Sequence, residues 1–267
     1  MVPIAVVTGG GRGIGRALVQ ALIQDGYRVV AVDVDEDAAN ATALQLGAVP
    51  KRLDVRDGAA FAALIDDVER TLGPVEVLVN NAGIMALGPF CEVDRIVDER
   101  QFDINVWGVY NGMRAVLPRM QDRRRGTIVN IASVAGKAGT PYAAMYSATK
   151  HAVVGLTEAV RYEVAADGVH LVVVCPALVN TQLISGAGRP RWPPVAQPED
   201  VANATVDAIR HKKPDVYVPR FARLGAILPA LFPRAVYERI GKLLFADRMF
   251  AKVDAKARAA YATRTAR

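Results

Sequence analysis

Tyr146 and Lys150 stand four residues apart in the run Tyr146-Ser147-Ala148-Thr149-Lys150. On a helix that spacing puts both side chains on one face, so a phenol and an ammonium point into one space. A free tyrosine keeps its proton up to about pH 10, whereas a general acid or base works best with a pKa near the working pH. A fixed cation a few ångströms away favours the phenolate, and Lys150 is placed to supply it. Ser133 lies upstream in IVNIASVAG, where a strand over 127–131 runs into a loop of small residues. A hydroxyl at that strand end can hydrogen-bond the same oxygen that Tyr146 protonates. The same Tyr/Lys spacing also occurs on helices that do no chemistry, so the pair is weighed by what surrounds it.

The elements that would hold these residues follow from periodicity. Short apolar strands are expected at 3–7, 28–32, 49–53, 75–79, 127–131, 171–174 and 216–218. Between them lie helical patterns at 14–24, 36–46, 57–71, one long helix over 93–121, the helix carrying Tyr146, and 199–210 entered through Pro198. Nearly continuous β-branched strands alternating with helices predict an α/β fold: a Rossmann-like, doubly wound parallel sheet of about seven strands with helices on both faces. No linker is visible before about residue 210, so residues 1–220 are expected to form one unit, and 221–267 a basic helical extension rather than an independent domain.

The first strand delivers Thr8-Gly9-Gly10-Gly11-Arg12-Gly13-Ile14-Gly15. Glycines there permit a tight turn and let backbone N–H groups meet a pyrophosphate at the positive end of the next helix. Asp33, at the end of the second strand, is positioned to accept hydrogen bonds from an adenosine ribose and would repel a 2′-phosphate. Arg12 argues the other way, since a guanidinium near the turn could pair with that phosphate. Asp33 with uncharged Val34 after it favours NAD over NADP. Asp33 also has a plain alternative as a solvated strand end, and Asp35 competes for the role.

Taken together, TGGGRGIG, Asp54-Val55, Asn80-Asn81-Ala82-Gly83, Asn105, Ser133 and Tyr146xxxLys150 resemble the short-chain dehydrogenase/reductase family in order and spacing, over about residues 3–218. The joint occurrence is far more specific than any single motif. The resemblance implies that Gly9, Gly11, Arg12, Gly13, Ile14 and Gly15 line the pyrophosphate and adenosine end, while Asp54 and Val55 flank the adenine. It implies that Asn81, Ala82 and Gly83 border the path to the nicotinamide, that Pro176, Val179 and Thr181 contact its amide end, and that Lys150 also holds its ribose hydroxyls. Asn105 would anchor a water linking Lys150 to solvent. Read without the family, Asn105 is a buried amide satisfying local backbone, and Asn80 and Asn81 are amides that tie neighbouring turns together. One departure stands out: the family usually has Pro-Gly after the sixth strand, and here Pro176 is followed by Ala177, which requires a turn without positive φ.

The expected chemistry is reversible hydride transfer between a nicotinamide and a secondary alcohol or ketone, with Tyr146 as acid and base, Ser133 on the substrate oxygen and Lys150 lowering the phenol's pKa. A silent nucleotide-binding scaffold with the same fold is the alternative. Substrate walls are expected from 84–90, 134–142 and 183–195; Met85, Leu87, Phe90, Tyr142, Leu183, Ile184 and Trp192 there suit a hydrophobic, sterol-, terpenoid- or lipid-like molecule.

Composition narrows the classes. A 52% hydrophobic and 22% charged chain excludes disorder. From Arg210 onward there are 14 basic and 4 acidic residues, an excess larger than the whole chain's net charge of +6, so the body is net negative. That charge distribution argues against nucleic acid as a partner. Val236, Ile240, Leu243 and Leu244 share one helical face of the tail, which suits a lid, a subunit-packing helix or peripheral contact with anionic lipid. The resemblance implies a homo-oligomer, a dimer or tetramer. His151, His170 and His211 are isolated, so no metal site is inferred. Cys91 and Cys175 make no disulfide framework, the opening VPIAVVTGG reads as a strand rather than a leader, and no apolar run is long enough to cross a bilayer, so a reducing, cytoplasmic setting is expected.

Overall fold

The computed structural model describes residues 2–188, 195–231, 233, 235, 236, 239, 250, 251 and 253–265. Its centre is one parallel sheet of seven strands in the order β3-β2-β1-β4-β5-β6-β7. The strands are β1 (Ile4–Thr8), β2 (Arg28–Asp33), β3 (Val49–Arg52), β4 (Val75–Asn80), β5 (Gly126–Ile131), β6 (Val169–Pro176) and β7 (Asp215–Val218). Helices α1 (Gly13–Gln24), α2 (Glu36–Leu46), α3 (Gly58–Thr71), α4 (Arg95–Phe102), α5 (Gly108–Asp122), α6 (Ala144–Glu163) and α7 (Pro198–Arg210) connect them, followed by α8 (Ala222–Leu231) and α9 (Ala255–Thr265).

The strands are apolar without alternation because both of their faces are covered. Along β1, Ile4 and Val6 join a core shared with Phe61 and Ile65 of α3 and Met113 and Val116 of α5. Ala5 and Val7 join the opposite core, with Leu18 and Leu22 of α1 and Val201 and Ile209 of α7. Side chains on a strand point alternately to the two faces, so an all-apolar strand is what a sheet between two helix layers requires. The chain runs from β1 outward to β3, then crosses back to place β4 on the other side of β1. A crevice must open at the carboxyl ends of those two strands. Thr8 and Asn80 are the last residues of β1 and β4, and Gly9 and Asn81 directly after them line that crevice.

The helix expected over 93–121 is interrupted. Asp103–Trp107 forms a π-helical turn between α4 and α5, and Asn105 lies in it fully buried. At α7, Pro198 occupies the first turn as expected, and Gln197 and Asp200 form a reciprocal cap. Trp192 and the tail positions Ile240, Leu243 and Leu244 lie outside the described residues.

Candidate active site

The carboxyl ends of the strands open into a cleft of about 2880 Å³. Ordinary ligand pockets run to about 300–1,000 Å³, so this one has room for a dinucleotide and a second molecule beside it. Gly9, Gly11, Arg12, Gly13, Ile14, Gly15, Asp33, Asp54 and Val55 line one end. Asn81, Ala82, Gly83, Ser133, Tyr146, Lys150, Pro176, Val179 and Thr181 line the rest. Residues spread from the first strand to the sixth thus share one wall system.

The glycine-rich turn is held by hydrogen bonds on every side. Thr8 Oγ1 accepts from the N–H groups of Asn81 and Ala82 at 3.0 and 3.1 Å. Asn81 Nδ2 donates to the carbonyls of Thr8 and Gly9 at 2.9 and 3.2 Å. Thr42 of α2 donates to the Gly11 carbonyl at 3.0 Å. The amide of Asn81 is therefore committed to tying β4 to the turn. Gly13 takes φ +52, and a β-carbon on Gly15 would come within 1.9 Å of the Gly9 carbonyl oxygen. Bare backbone at the start of α1 is the form a pyrophosphate cradle takes, so the turn fits the dinucleotide expected for it.

The carboxylates at this end separate by partner. Asp33 accepts from the Gly11 N–H at 3.0 Å and from the Asp35 N–H at 3.1 Å, and makes no ion pair among the described residues. Asp35 caps α2 through the Ala38 N–H and pairs with Arg12 at 2.8 Å. The Arg12 hydrogen bond holds the Asp35 carboxyl below its ordinary range. Asp54 is paired with Arg56, which lowers its pKa likewise. Of the two candidates for a ribose, Asp33 is the one not spent on an arginine.

At the other end, α6 buries Tyr146, Ser147, Thr149, Lys150, Val153 and Thr157, an inward stripe at helical spacing. Ser147 Oγ accepts from the Thr140 N–H at 3.0 Å and donates to the Ala143 carbonyl at 2.9 Å, which fixes the loop leading into the helix. The Ser133 hydroxyl is near enough to the Tyr146 phenol to lower its pKa. Ser133 also accepts from the Ala135 N–H at 3.1 Å and lies 3.3 Å from the Pro176 carbonyl. Lys150 Nζ sits 5.7 Å from the centre of the Tyr146 ring and donates to the Ile131 carbonyl at 2.8 Å.

The electrostatics differ from the sequence expectation. Burial pushes the Tyr146 phenol well above its ordinary value, and the Ser133 hydroxyl is the influence that opposes it. Burial likewise pulls Lys150 from 10.5 down to about 8. Removing both groups from water disfavours phenolate and ammonium alike, and the acidification of Tyr146 expected from Lys150 is not among the influences on the phenol.

Asn105 is not on the cleft wall. Its Oδ1 accepts from the Ile84 N–H at 2.8 Å, and its Nδ2 donates to the Ile84 carbonyl at 2.9 Å and to Thr149 Oγ1 at 3.1 Å. Gln101, one turn earlier, accepts from the Ala86 N–H at 2.7 Å. These two amides hold the 84–86 segment from behind, which is the satisfied-backbone role open to Asn105 from its sequence context. After β6, Ala177 is absent from the positive-φ residues and donates its N–H to the Val218 carbonyl at 2.8 Å, so the Pro-Ala departure costs no backbone strain.

Several wall residues had no signal in the sequence reading. Met85, Leu183 and Ile184 line the cleft as expected, but Phe90 is 74% exposed, and Leu87 and Tyr142 pack beneath the wall instead. The missing side is supplied by the extension: Phe221 and Leu224 from the α8 region, then Phe250, Tyr261 and Arg264. Tyr261 Oη accepts from the Met85 N–H at 2.8 Å. Arg258 is 9% exposed and donates to the carbonyls of Leu183 and Ser185, each at 3.0 Å, and to that of Met85. Helix α9 is thereby clamped across both loops of the substrate end.

The short chain dehydrogenase family model matches residues 3–191. A 3-alpha-(or 20-beta)-hydroxysteroid dehydrogenase of Mycobacterium bovis is 34% identical over 76% of this chain and 80% of its own. An acetoacetyl-CoA reductase of Paracoccus denitrificans is 36% identical over 77% of this chain and 90% of its own. Among solved structures, a short chain dehydrogenase/reductase of Burkholderia phymatum in complex with NAD superposes with a TM-score of 0.77 at 31% identity, covering 89% of this chain and 94% of that one. By fold, motif and relatives, this chain belongs to the short chain dehydrogenase family, and is an oxidoreductase acting on the CH–OH group with a nicotinamide cofactor.

Proposed function

We propose that the protein transfers hydride reversibly between NAD and a secondary alcohol or ketone whose body is apolar. The observation that carries this reading is a single cleft with Asp33 and the glycine-rich turn at one end and Ser133, Tyr146 and Lys150 at the other. The bound nicotinamide supplies the hydride donor or acceptor. The backbone N–H groups at the start of α1 receive the pyrophosphate, and Asp33 accepts from the adenosine ribose hydroxyls. Lys150, with one of its N–H donors on Ile131, has two left for the nicotinamide ribose. Ser133 donates to the substrate oxygen and Tyr146 delivers the proton to it in reduction or removes it in oxidation. A phenol kept protonated by burial is in the form that donates the proton in reduction. Asn105 acts as a positioning residue behind the 84–86 wall.

The preference for NAD rests on Asp33 and on the capture of Arg12 and Arg56 by Asp35 and Asp54. One observation favours NADP: Arg52 pairs in register with Asp33, lines the cleft and has no carboxylate partner among the described residues. Fluorescence titration decides between them. NADH binding about tenfold or more tighter than NADPH is expected, with Asp33→Ser narrowing the gap; tighter NADPH binding that Arg52→Ala abolishes would reverse the assignment. Turnover of no alcohol or ketone despite tight cofactor binding would favour the silent scaffold.

The reading includes a homo-oligomer. Trp107 and Tyr110, 49% and 38% exposed, stack edge to face at 5.4 Å on the outer side of the interrupted helix. Ile96 on the neighbouring α4 is 63% exposed. Large apolar groups gathered on one surface are what a subunit contact covers. Trp107→Glu is expected to shift the mass measured by light scattering toward the monomer, and an unchanged mass removes this face as the contact.

A further inference from the structure

The substrate end of the cleft holds cations with no carboxylate partner among the described residues. Arg100 of α4 and Arg264 of α9 both line it, and neither is ion-paired among the described residues. Their recorded bonds go to neutral oxygens: Arg100 Nη1 donates to the Thr265 carbonyl at 3.1 Å, and Arg264 Nη1 donates to Gln182 Oε1. Arg258 stands behind them with its N–H groups on three carbonyls. The Tyr261 ring lies between two guanidiniums, 4.5 Å from that of Arg258 and 5.4 Å from that of Arg264. At the adenosine end Arg12 and Arg56 each face an aspartate, while Arg52 there has no ion pair among the described residues.

A guanidinium has five N–H donors in a planar fork that matches a carboxylate or phosphate bidentately. Arg264 and Arg100 have most of theirs free at the edge of a recess whose floor is Met85, Ala135, Ala143, Tyr146 and Phe250. The cation–π contact with Tyr261 and the bond to Gln182 restrain Arg264 before any ligand arrives, which lowers the entropic cost of using it. We propose that the substrate carries an oxyanion, such as a carboxylate, at the end remote from its reacting carbon, and that Arg264 and Arg100 receive it. The substrate is then an amphiphile: a carbonyl or carbinol at Tyr146, an apolar middle and an anionic end under α9. This rests on the assignment of the cleft to dinucleotide and substrate made above.

The same arginines have a second anion within reach of argument, the dinucleotide's own pyrophosphate. Gln182, the partner of Arg264, directly follows Thr181, whose methyl group faces Gly13. The test therefore compares decanoate with decanamide, equal in length and differing in charge, by quenching of NADH bound to the full chain. It is repeated by thermal shift with no cofactor present. The wild type is expected to bind decanoate about tenfold or more tightly than decanamide, as a charge-assisted hydrogen bond predicts. In Arg100→Gln/Arg264→Gln the preference disappears while decanamide and NADH bind as before, and Arg264→Lys restores part of it.

Equal binding of acid and amide by the wild type, or a preference that survives both substitutions, overturns the proposal. So does a double variant whose NADH affinity falls while its decanoate preference stays, because that result assigns the arginines to the pyrophosphate. Failure to bind NADH at all rejects the dinucleotide reading, and the cofactor-free shifts still judge the arginine site by themselves.

Discussion

At the scale of single residues, the site is built from groups that burial makes reluctant to ionise. Tyr146 is held high and Lys150 low by the same loss of water. Tyr146→Phe should reduce turnover by about 10²–10⁴-fold, the range for a positioned acid or base, while the cofactor dissociation constant stays within about twofold. Lys150 gives a stability prediction with a definite sign. Its value falls from 10.5 to about 8 on folding, so between those values the unfolded chain binds more protons and stability rises with pH. The penalty for the buried ammonium is fully present below pH 8 and gone above 10.5, and is on the order of 3 kcal/mol. Loss of the bond to Ile131 takes back about 1 kcal/mol. Lys150→Met should therefore melt several degrees above the wild type at pH 7, inactive, with the gap closing toward pH 10; calorimetry showing a lower melting point at pH 7 would contradict this. Sequence spacing was enough to bring Tyr146, Lys150 and Ser133 together. The balance of charge and burial was not readable from it, because that depends on how much water the surrounding loops exclude.

At the scale of elements, the strands and the glycine-rich turn follow from local pattern, and the interruption of the long helix does not. Asn105 in its apolar surroundings was a hint, and in the structure Gln101 and Asn105 reach the 84–86 backbone from the stretch where the helix widens. Thr8 is a second residue whose work is invisible in sequence. One hydroxyl satisfies two N–H groups on the neighbouring strand end, across more than seventy residues of chain. Thr8→Val keeps the shape and removes the acceptor, which should cost about 2–4 kcal/mol in denaturant unfolding and weaken NADH binding, since the same turn carries the cofactor. Unchanged stability would mean that another acceptor serves those groups.

At the scale of the whole molecule, the extension after β7 returns to finish the site. Among the described residues of the tail, the contacts come from Phe250 and from the Arg258, Tyr261 and Arg264 face of α9, in an alanine- and arginine-rich stretch with little apolar signal. Long-range closure of this kind has no local signature. Arg258→Ala removes a donor from three carbonyls and should raise KM well above any change in kcat, with faster amide exchange over 255–265 and unaltered NADH affinity. Unchanged exchange would show that α9 is held by other means. Among the described residues no helix is long and apolar enough to cross a membrane.

The central claim is that Ser133, Tyr146 and Lys150 act on one carbon–oxygen bond beside a nicotinamide. The most direct test is a single turnover with NADH deuterated at C4 and a panel of steroid, 3-oxo acid and aliphatic ketones, followed by mass spectrometry of the alcohols. The wild type should place deuterium on the carbinol carbon of at least one of them, and Tyr146→Phe should bind the cofactor and transfer almost none. Equal deuterium from both proteins, or tight cofactor binding by the wild type with no transfer to any ketone, would contradict the account.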